Sequence, residues 1–213
     1  MGRIRILLAD DHTLICAGFQ RLLEPEYEVV GSVGDGRALL KAAAELKPDV
    51  VLVDVGMPIL NGLDAGRELK RLMPDIKLIF LTMNPDSDLA AEAFCIGASG
   101  YLLKNSQASE LLQAVHDAIG GISYVTPQIR HAREEKFIRD PGSVNRPKHL
   151  TGRQREVLQM LAEGRSMKEI SDVLQIKFRT VRFHKSRIME ELEIATNSEL
   201  VQYAIKHGMI ALV

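Results

Sequence analysis

The chain has no tryptophan, few aromatics and only two cysteines, Cys16 and Cys95. Two cysteines so far apart have no metal-ligand spacing and cannot build the disulfide framework of a small secreted domain. Both fall inside apolar helical patterns and read as buried free thiols. No apolar run approaches the roughly 20 residues of a membrane span. The start Met1-Gly2-Arg3-Ile4-Arg5-Ile6 has no signal-peptide pattern and puts Ile6 where myristoylation needs Ser or Thr. These absences predict a cytoplasmic protein with no membrane partner. Net charge is also scarce, at -1 over 213 residues, but it conceals an asymmetry. Residues 1–125 carry 11 Lys and Arg against 17 Asp and Glu, while residues 126–213 carry 16 against 11. An acidic front and a basic back point to two units with two jobs.

The front unit alternates β and α patterns five times. Ile4 to Ala9 reads as a buried strand ended by Asp10-Asp11, and Leu14, Ile15, Phe19, Leu22 and Leu23 then recur at helical spacing up to Pro25. Strands are expected near 27–33, at Val50-Val51-Leu52-Val53-Asp54, at 76–81 and at 101–103, with helices near 36–46, 62–73, 86–96 and 106–119. Such alternation predicts a five-stranded parallel doubly wound sheet with helices on both faces. All strands then end on one edge, where open α/β sheets place their chemistry. Asp10, Asp11, Asp54, Thr82 and Lys104 gather there. Three carboxylates repel one another unless a counter-charge is present. A divalent cation supplies it, and an oxygen-only donor set favours Mg²⁺. Asp54 then suits a nucleophile toward a phosphoryl group, with Lys104 and the Thr82 hydroxyl offsetting charge on its oxygens.

The acidic pair Asp10-Asp11, the Asp54-x-x-Met57-Pro58-x-x-x-Gly62 loop, Leu81-Thr82 and Gly100-Tyr101-Leu102-Leu103-Lys104 together resemble the receiver domains of two-component response regulators. The resemblance covers about the first 120 residues. It implies that Asp54 takes a phosphoryl group from a phosphohistidine on a sensor histidine kinase, with Mg²⁺ held by Asp10, Asp11, Asp54 and the backbone carbonyl of Gly56. It also implies that Thr82 and Tyr101 form a switch pair. There are two departures. Asn105 follows Lys104 where many receivers have a proline in a cis bond, and Met83 stands where many have a very small residue. Gly56 and Asn84 flank the phosphoryl position.

From 123 to 148 the pattern loses its period and reads as a linker. His131-Ala132-Arg133-Glu134-Glu135-Lys136-Phe137 is compatible with a short helix, and Pro141, Gly142 and Pro147 prevent regular structure in the residues beyond it. Thr151-Gly152-Arg153-Gln154, Ser166-Met167-Lys168-Glu169 and Thr196-Asn197-Ser198-Glu199 are three capping boxes, each opening a helical pattern. A third helix from about Phe178 to Leu192 comes after a tight turn. At about 100° per residue its Val181, Ile188 and Leu192 share one side, with Arg179, Arg182, Phe183 and Ser186 around the other. Two short helices and a tight turn in a basic unit predict a helix-turn-helix.

Leu150-Thr151-x-Arg153-x-Arg155-Glu156-Val157-Leu158, Gly164-x-Ser166-x-Lys168-Glu169-Ile170 and Thr180-Val181-x-x-His184 resemble the four-helix DNA-binding domain of the NarL/LuxR family. The resemblance implies base-reading positions at Arg182, Phe183 and Ser186, with phosphate contacts from Lys168, Arg179, Lys185 and Arg187 to double-stranded DNA. His184, without a partner at ligand spacing, reads as a packed histidine. Lys177 replaces the usual Ser cap of the third helix, Lys185 interrupts its apolar stripe, and Glu193 replaces a common glycine after it.

The expected organisation is a receiver over 1–122, a linker over 123–148 and an all-α helix-turn-helix domain over 149–213. The expected function is that of a transcriptional response regulator, not a metabolic enzyme. Phosphorylation of Asp54 alters its dimerisation or releases its DNA-binding domain, and a homodimer is the active form. Two rival readings are weaker. A haloacid-dehalogenase-like phosphatase needs a second Asp two residues after the nucleophile, where Gly56 stands. A phosphorylation-independent DNA-binding protein with a vestigial receiver sits poorly with the intact acidic set.

Overall fold

The computed structural model describes residues 2–130 and 150–210. The short helix expected at 131–137, and most of the expected linker, lie outside them. Six parallel strands form one sheet in the order β2-β1-β3-β4-β5-β6, with β1 Arg5–Ala9, β2 Glu28–Val33, β3 Val50–Asp54, β4 Lys77–Thr82, β5 Gly100–Leu103 and β6 Tyr124–Val125. The helices between them are α1 Thr13–Leu23, α2 Gly36–Leu46, α3 Gly62–Leu72, α4 Ser87–Ile96 and α5 Ala108–Ile119. Successive strand side chains point to opposite faces, so a run of apolar residues needs cover on both. Ile6, Leu8, Val50 and Leu52 pack with Leu23 of α1 and Leu111, Ala114 and Val115 of α5. Leu7, Ala9, Val51 and Val53 pack with residues of α2, α3 and α4 on the other face.

The five expected strands are present, but the sheet has a sixth. Tyr124 and Val125 pair with Gly100 and Tyr101, inside the stretch expected as linker. Two residues are too short to show a period, so only the pairing reveals this strand. Thr126 extends the junction by accepting the Leu103 N–H on its hydroxyl, and Ile129 is buried in the same core as Leu7 and Phe80. One cysteine also differs from expectation. Cys16 is buried, but Cys95 is exposed, because α4 buries Leu89, Ala90 and Ala93 and turns position 95 outward.

Four helices make the second unit: α6 Gly152–Ala162, α7 Met167–Leu174, α8 Phe178–Leu192 and α9 Asn197–Lys206. All three expected capping boxes form. Each joins a hydroxyl to the third helical N–H and returns a side-chain acceptor to the cap N–H, a pairing worth about 1 kcal/mol. Val157, Leu158, Ile170, Leu174, Val181, Ile188 and Leu200 meet in one core. As expected from Lys177, α8 begins without a side-chain cap. Glu193 ends α8 in the left-handed conformation that a glycine would adopt more readily, with φ 56°.

Candidate functional site at the sheet edge and the open helix

Strand register assembles the site. Ala9 lies beside Val53 and Asp54 beside Leu81, so Asp10, Asp54 and Thr82 emerge at one edge. Thr82 pairs with Leu103, which brings Lys104 there too. Asp10, Asp54 and Thr82 are buried. Lys104 Nζ lies 2.8 Å from Asp10 Oδ2 and 2.9 Å from Asp54 Oδ2, so one buried ammonium bridges two buried carboxylates. Burial pushes the Asp54 carboxyl above its ordinary value, opposed by the Lys104 charge and by a hydrogen bond from the Gly56 backbone. The Thr82 hydroxyl accepts the Asn84 N–H at 3.0 Å. Met83 is exposed at the rim.

One ligand atom each from Asp10, Asp11, His12 and Asp54 lies within 4.8 Å of the others, so this acidic cluster can hold a metal ion. Two buried carboxylates sharing one lysine leave anionic charge for a cation to neutralise, and the donor set fits a hard divalent ion. The expected set did not include His12. Its Nδ1 lies 3.0 Å from Asp10 and 2.9 Å from Asp11, and the signal available was its place directly after the acidic pair. Tyr101 is fully buried. Burial raises its phenol far above the ordinary value, with the Asp86 charge adding to the rise, and among the described residues its buried hydroxyl has no hydrogen-bond partner. Among the described residues there is no cis peptide, so Lys104-Asn105 is trans.

On α8, Val181, Ile188 and Leu192 are buried while Arg179, Arg182, Phe183, Ser186 and Arg187 are exposed. Lys185 is half-buried. Lys168 is exposed on α7, and Arg187 pairs with Glu190 at 2.8 Å. His184 packs edge-on to the Phe183 ring, and burial followed by the Arg153 charge lowers its pKa. The basic face of this helix is open.

The two units touch through residues that sequence patterning does not single out. Gln159 of α6 is fully buried. Its Oε1 accepts the Asn61 N–H at 2.8 Å, and its Nε2 donates to the Met57 carbonyl at 2.7 Å. One turn on, Glu163 Oε1 accepts the Ile59 N–H at 3.0 Å. Arg155 pairs with Asp64 at 2.6 Å, and Glu156 with Arg37 at 3.0 Å. At the far end of α9, a Cβ built on Gly208 would fall 2.6 Å from the Leu89 side chain of α4. Ile59 has φ 69°, a left-handed conformation that costs a β-branched residue about 1–3 kcal/mol. Its side chain packs against the α6–α9 core.

An acidic α/β unit with a metal-competent carboxylate edge, joined to a helix-turn-helix with an open basic helix, defines a two-part signalling regulator. Comparison with known proteins names the class. The response regulator receiver domain family matches residues 6–116, and the luxR family of bacterial regulatory proteins matches residues 148–204. Response regulator GacA of Pseudomonas aeruginosa is 35% identical over 209 residues, covering 97% of this chain and 98% of its own. Transcriptional regulatory protein DegU of Brevibacillus brevis is 33% identical over 226, covering 98% and 96%. Among solved structures, the RcsB response regulator of Salmonella typhimurium has a TM-score of 0.66 at 25% identity, covering 97% of this chain and 99% of that one. The chain belongs to the NarL/LuxR-family response regulators: it is a two-component response regulator with a receiver and a luxR-type DNA-binding domain, not a metabolic enzyme. None of these findings supports a vestigial receiver. Among the described residues no helix is long and apolar enough to cross a membrane.

Proposed function

We propose that Asp54 is the phosphoacceptor of this regulator and that its phosphorylation governs how the DNA-binding domain pairs on its target. The observation that carries this is the buried Asp10–Lys104–Asp54 bridge at the sheet edge. An Asp54 oxygen attacks the phosphorus of a sensor kinase's phosphohistidine. The new O–P bond forms as the N–P bond breaks, and the leaving imidazole nitrogen keeps the electron pair and takes a proton from solvent. Lys104 and the Thr82 hydroxyl stabilise the phosphoryl oxygens, and Tyr101 packs behind Thr82 as its switch partner. Asp10, Asp11, Asp54 and the Gly56 carbonyl would hold Mg²⁺, which offsets phosphoryl charge when bound. Water later hydrolyses the acyl phosphate, with Gly56, Met83 and Asn84 bordering its approach.

Arg182, Phe183 and Ser186 read bases in the major groove, while Lys168, Arg179, Lys185 and Arg187 hold phosphates. RcsB of Salmonella enterica serovar Typhimurium, 26% identical with a TM-score of 0.63 and covering 95% of this chain, has been solved on a promoter with a phosphomimetic. That supports the same order of events here. One short helix reads few base pairs, so tight binding requires a homodimer on half-sites about 34 Å apart. The test is phosphate incorporation from acetyl phosphate with Mg²⁺, and then sedimentation. Wild type should incorporate phosphate and tighten its dimer, and Asp54→Asn should do neither. Incorporation that survives in Asp54→Asn would remove this residue from the role.

A further inference from the structure

His12 immediately precedes α1, yet its side chain makes no capping hydrogen bond there. The ring is turned to the sheet edge instead, where Nδ1 lies 3.0 Å from Asp10 Oδ1 and 2.9 Å from Asp11 Oδ1. A single Nδ1–H points squarely at only one of two oxygens, so as a hydrogen-bond donor this nitrogen serves the pair poorly. As a metal ligand it serves both. A cation bonded at about 2.1 Å to neighbouring corners of an octahedron sets those corners about 3.0 Å apart, the spacing that Nδ1 keeps from each oxygen. Asp10 supplies a second and independent sign. Its Oδ2 is buried and accepts no hydrogen bond, although the Lys104 ammonium lies 2.8 Å away, and a buried acceptor in that condition gains from an ion in the cluster. Charge agrees with geometry. Three carboxylates against one ammonium leave two negative charges, and a neutral imidazole adds a donor without altering that total, so a dication neutralises the set.

We propose that His12 is a nitrogen ligand of the cation site, and that this site takes a first-row divalent transition ion of the Co²⁺ and Zn²⁺ kind in place of Mg²⁺. This ligation rests on the cation site already proposed for Asp10, Asp11 and Asp54. Carboxylates alone suit hard ions such as Mg²⁺, whereas an imidazole suits Zn²⁺ and its neighbours in the series. Any such carboxylate site also binds the later transition ions more tightly than Mg²⁺, so tightness by itself marks nothing. The mark of ligation is a preference that disappears with the imidazole. Asp10 and Asp54 form the buried floor of the cluster, and Asp11 and His12 form its exposed wall. An ion therefore reaches the nitrogen from solvent without any opening of the sheet edge. Its occupant then follows which divalent ion is at hand.

Calorimetric titration of the metal-free full chain with Co²⁺ and with Mg²⁺ tests this without any phosphodonor. Only the Co²⁺ that Mg²⁺ competes away is counted, which sets aside the other histidines. His12→Ala should weaken that Co²⁺ binding by about tenfold or more, since even the outer partners of a metal site are worth as much. Mg²⁺ affinity should stay within about twofold, because that ion draws on the oxygens. A second arm uses pulsed EPR of the chain loaded with Mn²⁺. A directly bound imidazole nitrogen should modulate the spin echo in wild type and be lost in His12→Ala, and the wild-type spectrum decides even if the variant fails to fold. Equal losses of Co²⁺ and Mg²⁺, an unchanged Co²⁺ affinity, or a wild-type echo without nitrogen modulation each overturn the ligand role of His12 and leave the Mg²⁺ site standing. A wild-type chain that binds neither ion overturns the cation site itself, and the role of His12 with it.

Discussion

Lys104 has no carboxylate to itself: its ammonium is shared by Asp10 and Asp54, and all three side chains are almost fully buried. Removing one partner of a buried ionic cluster leaves uncompensated charge, which costs about 3–5 kcal/mol. Lys104→Met should therefore lower stability to urea by that order in the absence of divalent cations, and Mg²⁺ should restore a measurable part of the loss. A variant as stable as wild type in EDTA would show that the carboxylates do not depend on the lysine. Arg182 makes a different kind of prediction, because it is exposed and the role proposed for it lies in the complex with DNA. On a site selected from random-sequence DNA, Arg182→Ala should weaken binding by about 1–3 kcal/mol if it grips a base edge. Competition with random duplex checks this, since an equal loss on both would make it a phosphate contact.

Individual elements show what patterning can and cannot reach. The helix starts at Thr151, Ser166 and Thr196 were legible because a capping box is a local code with its own hydrogen bonds. The strand-end residues were legible because continuous apolar runs stop at Asp10, Asp54 and Thr82, and a parallel sheet must bring those stops together. Strand β6 was not, since two residues carry no period. Ile59 was not, because a β-branched residue by itself predicts extended backbone, and only contacts from another domain hold it left-handed. Gln159 gives no local sign that its amide is committed to Asn61 and Met57. Two of the capping boxes, those closed by Glu169 and Glu199, also carry a pH dependence. The Ser166 hydrogen bonds hold Glu169 below its ordinary value of 4.5, and the Ala195 and Thr196 amides do the same for Glu199. A depressed acid stabilises fully above the ordinary value, and that help disappears as pH falls through the lowered native value. Amide shifts of Ser166 and Thr196 should therefore move together only below about pH 4.5, with the starts of α7 and α9 fraying there. Movement centred near neutrality would mean that another group controls these caps.

For the whole molecule, the acidic receiver and the basic helical domain are held together by polar pairs, by the Ile59 side chain and by the approach of Leu89 to Gly208, with the exposed arginine face of α8 turned outward. An outward α8 means that collision with DNA need not await the kinase. A docked chain can already sample duplex through its exposed arginines, guided by charge, and leave again quickly. The prediction is that the signal acts on residence rather than on search. Stopped-flow association with a selected site should give on-rates within about threefold with and without phosphodonor, whereas the dissociation rate should fall by tenfold or more once two chains share the site. Its response to the kinase then becomes a matter of how long a protein already visiting the chromosome remains at one address.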